Sequence, residues 1–145
     1  MKKILVFFLI FLSYFNTMAQ KKTTTNANTK AVTSYKYIDG SNNTYIINNK
    51  NVVYVPITPK NSSSGMYSGG KAFEVAISLE QATEINNLFA DALKNKEIQL
   101  ETRPKGAGTI IKIMESVSGE TTETIIIKMN AKEKLAIEKW LKALN

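Results

Sequence analysis

The stretch Phe73-Glu74-Val75-Ala76-Ile77-Ser78-Leu79-Glu80-Gln81 changes its hydrophobic period in mid-run, and that change decides the fold. Phe73, Val75 and Ile77 alternate with Glu74 and Ala76, the pattern of a strand with one buried face. Ser78, with Gln81 three residues on, has the spacing of a capping box, in which two side chains satisfy free amides of a first helical turn. Ile85, Leu88, Phe89 and Ala92 then share one stripe, so the spacing predicts a helix that opens at Ser78 and fades near Asn95.

The same pattern returns 52 residues later. Ile125, Ile127 and Met129 stand where Phe73, Val75 and Ile77 stood; Asn130 and Glu133 repeat the cap spacing; Ile137, Trp140, Leu141 and Leu144 repeat the stripe. The chain thus reads as two strand-strand-helix units, either a duplication or two independent uses of a common way to end a strand and begin a helix. Trp140 is expected in the core and Leu135, off the stripe, at the surface.

Upstream, Thr33 to Ile38 and Thr44 to Asn48 read as a hairpin around Asp39-Gly40-Ser41-Asn42-Asn43, whose residues accept turn conformations. Asn51 to Thr58 is a third strand with Val53, Val55 and Ile57 on one face, and Pro56 argues for an edge or a strand end. Lys71 to Ser78 is the fourth. After the first helix, Glu97 to Arg103 reads as a strand with Ile98 and Leu100 inward; Thr109 to Ser116 and Thr121 to Asn130 form another pair around Ser118-Gly119. The expected fold class is α+β: an antiparallel sheet of about six to seven strands with two helices packed on one face. In topology alone this order resembles the strands-then-helix units of PUR and Whirly domains; no motif of either family is present, and their nucleic-acid role is not carried over.

The first residues read as a cleavable secretory signal. Lys2 and Lys3 precede nine apolar residues, Ile4 to Leu12, and Thr17 and Ala19 provide small residues for cleavage after Ala19. The apolar run is far shorter than the roughly 20 residues of a membrane-spanning helix. Gln20 to Ala31 is rich in Thr, Asn and Lys and reads as a flexible tether ahead of one domain at 32–145. The protein is therefore expected outside the cytoplasm, periplasmic or secreted, without a transmembrane segment in the mature chain.

Composition narrows the chemistry. Without Lys2 and Lys3, 17 of the 19 basic residues remain against 12 acidic ones, a net charge of +5. Arg103 is the sole arginine, and specific phosphate or base recognition leans on the guanidinium fork, so nucleic acid is not an expected partner. The chain has no His and no Cys, which removes the usual general base, thiol nucleophile, zinc ligands and disulfides. No metal or cofactor is expected. Two glutamate pairs, Glu97 with Glu101 and Glu115 with Glu123, keep carboxylate catalysis open, against the reading that they belong to the solvated side of a sheet.

Two loops carry the binding expectation. Lys60 to Gly70 joins two strands through far more than the two to five residues of a usual hairpin, and Ser63, Ser64, Met66 and Tyr67 supply hydroxyls, a thioether and a phenol between flexible flanks. Arg103-Pro104-Lys105-Gly106-Ala107-Gly108 places Arg103 and Lys105 at a turn whose amides suit a small anion. Tyr35, Tyr37, Tyr45 and Tyr54 offer aromatic faces to a sugar or peptide, or serve as cross-strand partners. The functional expectation is an exported, non-enzymatic interaction module for an envelope or extracellular protein, using the 60–70 loop. The alternatives are a binder of a small anionic or glycan ligand and a carboxylate-dependent hydrolase.

Overall fold

The computed structural model describes residues 32–144; the expected signal peptide (1–19) and tether (20–31) lie outside the described residues. In chain order the elements are β1 (Val32–Ile38), β2 (Thr44–Ile47), β3 (Asn51–Val55), β4 (Phe73–Ala76), α1 (Leu79–Lys94), β5 (Gln99–Leu100), β6 (Gly108–Ser116), β7 (Gly119–Ile127) and α2 (Lys132–Lys142), with single 3₁₀ turns at Pro59–Asn61 and Lys96–Ile98. The strands form one seven-stranded sheet in the order β4-β3-β2-β1-β6-β7-β5, antiparallel throughout. The fold is α+β.

Both helices cover one face. Tyr35 and Tyr37 of β1, Ile47 of β2, Val52 of β3, Ile110 of β6, and Ile125 and Ile127 of β7 join Ile85 and Phe89 of α1 and Ile137 and Leu141 of α2 in a single core. Facing residues in a ladder point the same way, so the register carries one row of rings across four strands: Tyr37 opposite Tyr45, Tyr45 opposite Tyr54, Tyr54 opposite Phe73. Ring centroids along this row lie 6.3, 4.8 and 5.0 Å apart, and Phe89 stacks on Tyr35 at 4.5 Å. Tilted and stacked ring pairs of this kind add about 0.5–1.5 kcal/mol each beyond burial.

The register corrects the expected face of β3. Val52 and Tyr54 point to the helices, while Val53 and Val55 lie on the outer face and Ile57 is buried beyond the strand. Val52-Val53-Tyr54-Val55 is apolar at both parities, so the neighbours Ile47 and Tyr45 choose between them.

The first cap forms as expected: the Ser78 side chain accepts from the Gln81 amide at 3.1 Å and the Gln81 side chain accepts from the Ser78 amide at 2.9 Å. The second does not. A turn closed by the Ala131 amide on the Lys128 carbonyl delays α2 by one residue, so Ala131 is the N-cap and no side chain caps the helix. Glu133 instead accepts from the Asn95 amide group at 2.9 Å, a bond that holds its carboxyl below the usual range. Met129, the counterpart of half-buried Ile77, is 59% exposed. The repeat therefore holds as hairpin-then-helix, β3-β4-α1 and β6-β7-α2, and fails at the second cap.

The strand expected at 97–103 shrinks to Gln99–Leu100. Asn95 caps the Glu97 amide and starts a 3₁₀ turn, and Gln99 points inward, donating to the Leu93 carbonyl at 3.0 Å at the end of α1. Leu100, opposite Ile126, is on the outer face. Trp140 is half-buried, not core; its indole N–H donates to Glu84 of α1 at 2.9 Å and ties the helices together. Leu135 is exposed. Among the described residues, no helix is long and apolar enough to cross a membrane.

The register has a direct check. Val52→Ala should cost about 2 kcal/mol in denaturant melts, whereas Val53→Ala should cost well under about 1 kcal/mol; equal costs would reject the assignment of faces. The tyrosine row also gives the fold an expected alkaline limit. Burial raises Tyr37 and Tyr45 far above the ordinary phenol value and raises Tyr35 and Tyr54 in the same direction, with Glu138 close to Tyr37 and Asp39 close to Tyr45 and Tyr54 adding to the shift. The unfolded chain releases these protons first, so their contribution is intact below about pH 10 and declines as pH rises above it. Tyrosinate absorbance and circular dichroism followed together should show ionisation of these rings coinciding with unfolding.

Candidate functional site

The turn Asp39–Asn43, between β1 and β2, is built from its own side chains. The Asp39 carboxylate accepts from the amides of Ser41 at 2.8 Å and Asn43 at 2.9 Å, and Asn42 takes a left-handed φ of 70°. Asn43, only 5% exposed, joins three segments. Its amide nitrogen donates to Asp39 at 2.9 Å and to the Tyr67 hydroxyl at 3.4 Å, and its carbonyl oxygen accepts from the Ile57 amide at 3.1 Å.

Those bonds pin the base of the long loop between β3 and β4. The Gly69 amide donates to the Ile57 carbonyl at 3.0 Å, and the Tyr54 hydroxyl donates to the Gly69 carbonyl at 2.7 Å. A Cβ on Gly69 would stand 2.0 Å from the Asn43 side-chain oxygen and 2.9 Å from the Tyr54 hydroxyl, so glycine alone fits there. Within the loop, Pro59–Asn61 forms a 3₁₀ turn, and the Ser64 hydroxyl accepts from the amides of Met66 and Tyr67 at 3.3 and 3.2 Å. The loop is a bonded structure with an anchored base.

The turn after β5 packs against the same hairpin end. Gly106 takes φ +84° and its carbonyl comes so close to Gly40 that a Cβ there would sit 2.6 Å from the oxygen. The Arg103 guanidinium donates to the Asp39 carbonyl at 2.7 Å and to the Asn42 side chain. Arg103 therefore braces the Asp39–Asn43 turn, and its exposed guanidinium keeps further N–H donors. The Ala107 amide is used within its own turn, donating to the Pro104 carbonyl at 3.1 Å, so the expected nest of free amides is reduced.

These three segments enclose a cleft of about 540 Å³. Ser62, Ser63, Ser64 and Tyr67 form one wall, Arg103 and Lys105 the other, and Ile57 lies between. Ser63, Ser64, Tyr67, Arg103 and Lys105, expected to bind from sequence, thus share one site. Met66 does not line it; it stands 83% exposed at the loop tip beside it. No carboxylate contributes to the lining, so the cleft carries two cations and no anion to balance them.

Other expectations separate. Tyr35 and Tyr37 are buried under the helices. Tyr45 and Tyr54 border a second cleft on the helix side of Tyr67. Glu115 faces Glu120, not Glu123, because the β6–β7 turn closes at Ser116 and Gly119; Glu123 faces Lys112. Glu97 lies in the 3₁₀ turn and Glu101 beyond β5, so the two share no strand face. Asn43 was missed as a site residue; an asparagine four residues after an aspartate, closing the same turn, was the available signal.

Replacing Asn43 by Ala should leave the Ile57 amide and the Asp39 carboxylate short of partners and cost about 2–3 kcal/mol. Hydrogen exchange should show faster opening of the Ile57 and Gly69 amides in the variant, and Gly69→Ala should reproduce the effect by collision. Unchanged exchange at both amides in Asn43→Ala would show that the loop does not depend on this side chain. Compared with known proteins, the chain matches no family model, no curated protein and no solved structure.

Proposed function

We propose that this protein is an exported, non-enzymatic binding module that holds a carboxylate-bearing segment of an envelope or extracellular protein in the cleft between the 60–70 loop and the Arg103–Gly106 turn. The observation that carries the reading is the lining of that cleft: Arg103 and Lys105 on one wall, serine hydroxyls on the other, and no acidic side chain between them. Both parts suit an anionic group, since the cations supply attraction and the Ser63 and Ser64 hydroxyls can turn to donate, while that of Ser62 is spent on the Pro59 carbonyl at 2.9 Å. Ile57 and Pro104 add apolar surface, and exposed Met66 extends the contact onto a larger partner. Export rests on the signal-like residues 1–19.

A free small anion is the second reading, favoured by cleft size, because about 540 Å³ lies within the usual range of small-ligand pockets.

Lys105 is the residue to change, since its side chain is exposed and braces nothing among the described residues, whereas Arg103 holds the hairpin turn. A partner retained by the immobilised protein from envelope extract or culture medium should bind at least about tenfold more weakly to Lys105→Glu and weaken as salt rises. Equal capture by both proteins would reject the cleft as the recognition site. Displacement of that partner by millimolar citrate or phosphate, or binding of those anions without any retained partner, would favour the second reading.

A further inference from the structure

Tyr67 and the Gly40–Gly106 contact are a shared wall, because a second cleft of about 520 Å³ lies on their other side, toward α2. Its chemistry differs from that of the first. Lys134 and Lys142 are balanced by Asp39 and Glu138, so the second cleft is neutral overall where the first is cationic. Tyr45, Tyr54 and Tyr67 line it with aromatic surface.

Two polar groups of this cleft, Glu138 and Lys134, are already held in position. Glu138 accepts from the Tyr37 hydroxyl at 2.9 Å and from Lys134 at 2.8 Å through one carboxylate oxygen, and Lys134 is 5% exposed. Its other oxygen has no partner among the described residues and is not buried. The Tyr45 hydroxyl is likewise unpaired among the described residues, in contrast to that of Tyr54, which donates to Gly69. Lys142 is exposed and contributes free donors at the mouth. A smaller cleft of about 330 Å³ continues past Tyr45, Tyr54 and Lys142 to Gly70 and Phe73, lengthening the groove.

We infer that this groove is a binding site for a neutral saccharide. A sugar ring has apolar C–H faces and a rim of hydroxyls that both donate and accept. The groove offers the complement: tyrosine rings, a carboxylate oxygen and a phenol that accept, and a phenol and an ammonium that donate. Its balanced charge gives no net attraction to an anion, which separates it from the cleft on the outer side of Tyr67. With the smaller cleft continuing the larger one past Tyr45 and Tyr54, the groove has room for a disaccharide or longer chain.

The test is a titration of the isotope-labelled protein, as recovered from the expressing cell, with maltose, cellobiose and diacetylchitobiose, followed by amide chemical shifts. At least one sugar should give saturable shifts at Ser41, Asn43, Tyr45, Tyr67 and Lys142. Tyr45→Phe, which retains the ring, and Lys142→Ala should each weaken that binding at least about fivefold, the equivalent of one lost hydrogen bond. Acetate should instead move Ser63 and Lys105. The proposal is overturned if none of the three sugars gives a saturable shift, if sugar-induced shifts are confined to residues 62–64 and 103–106, or if both variants bind as the parent does. Failure of acetate alone would count against the anion cleft and leave the saccharide groove standing.

Discussion

The row of rings from Tyr37 through Tyr45 and Tyr54 to Phe73 is the constraint on which the rest of the structure depends. It sets the register of four strands at once, because a one-residue slip in any of them would turn a large aromatic side chain out of the core. Two of its hydroxyls leave the core at opposite ends: Tyr37 reaches Glu138 on α2, and Tyr54 reaches Gly69 in the long loop. One packing feature thus positions both the covering helix and the loop that walls the cleft. The cost is borne at high pH, since all three tyrosines of the row are held protonated by burial and by nearby carboxylates.

Antiparallel connection places the cleft-lining segments together. The β1–β2 turn, the segment after β3, the approach to β6 and the exit from β7 all meet at one end of the sheet, where Ile38 pairs with Thr44 and Thr109. At the other end lie Val32 and the β6–β7 turn at Ser116 to Gly119. The described residues therefore begin at the end of the sheet away from the clefts.

Much of this was legible in the sequence, and the failures share a cause. The change of period at Ser78 gave a strand, a cap and a helix where they stand, because each local preference there agrees with the packing. The second instance failed at Asn130 because Met129 and Asn130 form a turn before α2, and Glu133 then finds Asn95, a partner 38 residues away. Strand β3 failed for a similar reason: with apolar residues at both parities, only Tyr45 and Ile47 on the neighbouring strand distinguish the two faces. The two segments that wall the cleft stood out by length and residue type, but the sequence carried nothing to bring Arg103 beside Asp39. That juxtaposition is a product of strand order, with β6 paired to β1.

Steric detail shows how closely the cleft end is packed. Of the seven glycines, Gly40, Gly69, Gly106 and Gly108 would each place a Cβ under 3 Å from a neighbouring atom. All four lie at the cleft end, against Gly106, Asn43, Met129 and Tyr37 respectively. The remaining three, Gly65, Gly70 and Gly119, meet nothing within 4 Å. Close approach of backbone to backbone and backbone to side chain is thus concentrated where three segments converge. Segments packed this closely have little conformational freedom left to lose, which is what preorganisation of a surface requires. The side chains of Met66 and Ser63, outside the bonded base of the loop, stand exposed above it. The floor of the cleft is thus fixed by backbone contacts, and only exposed side chains stand above it.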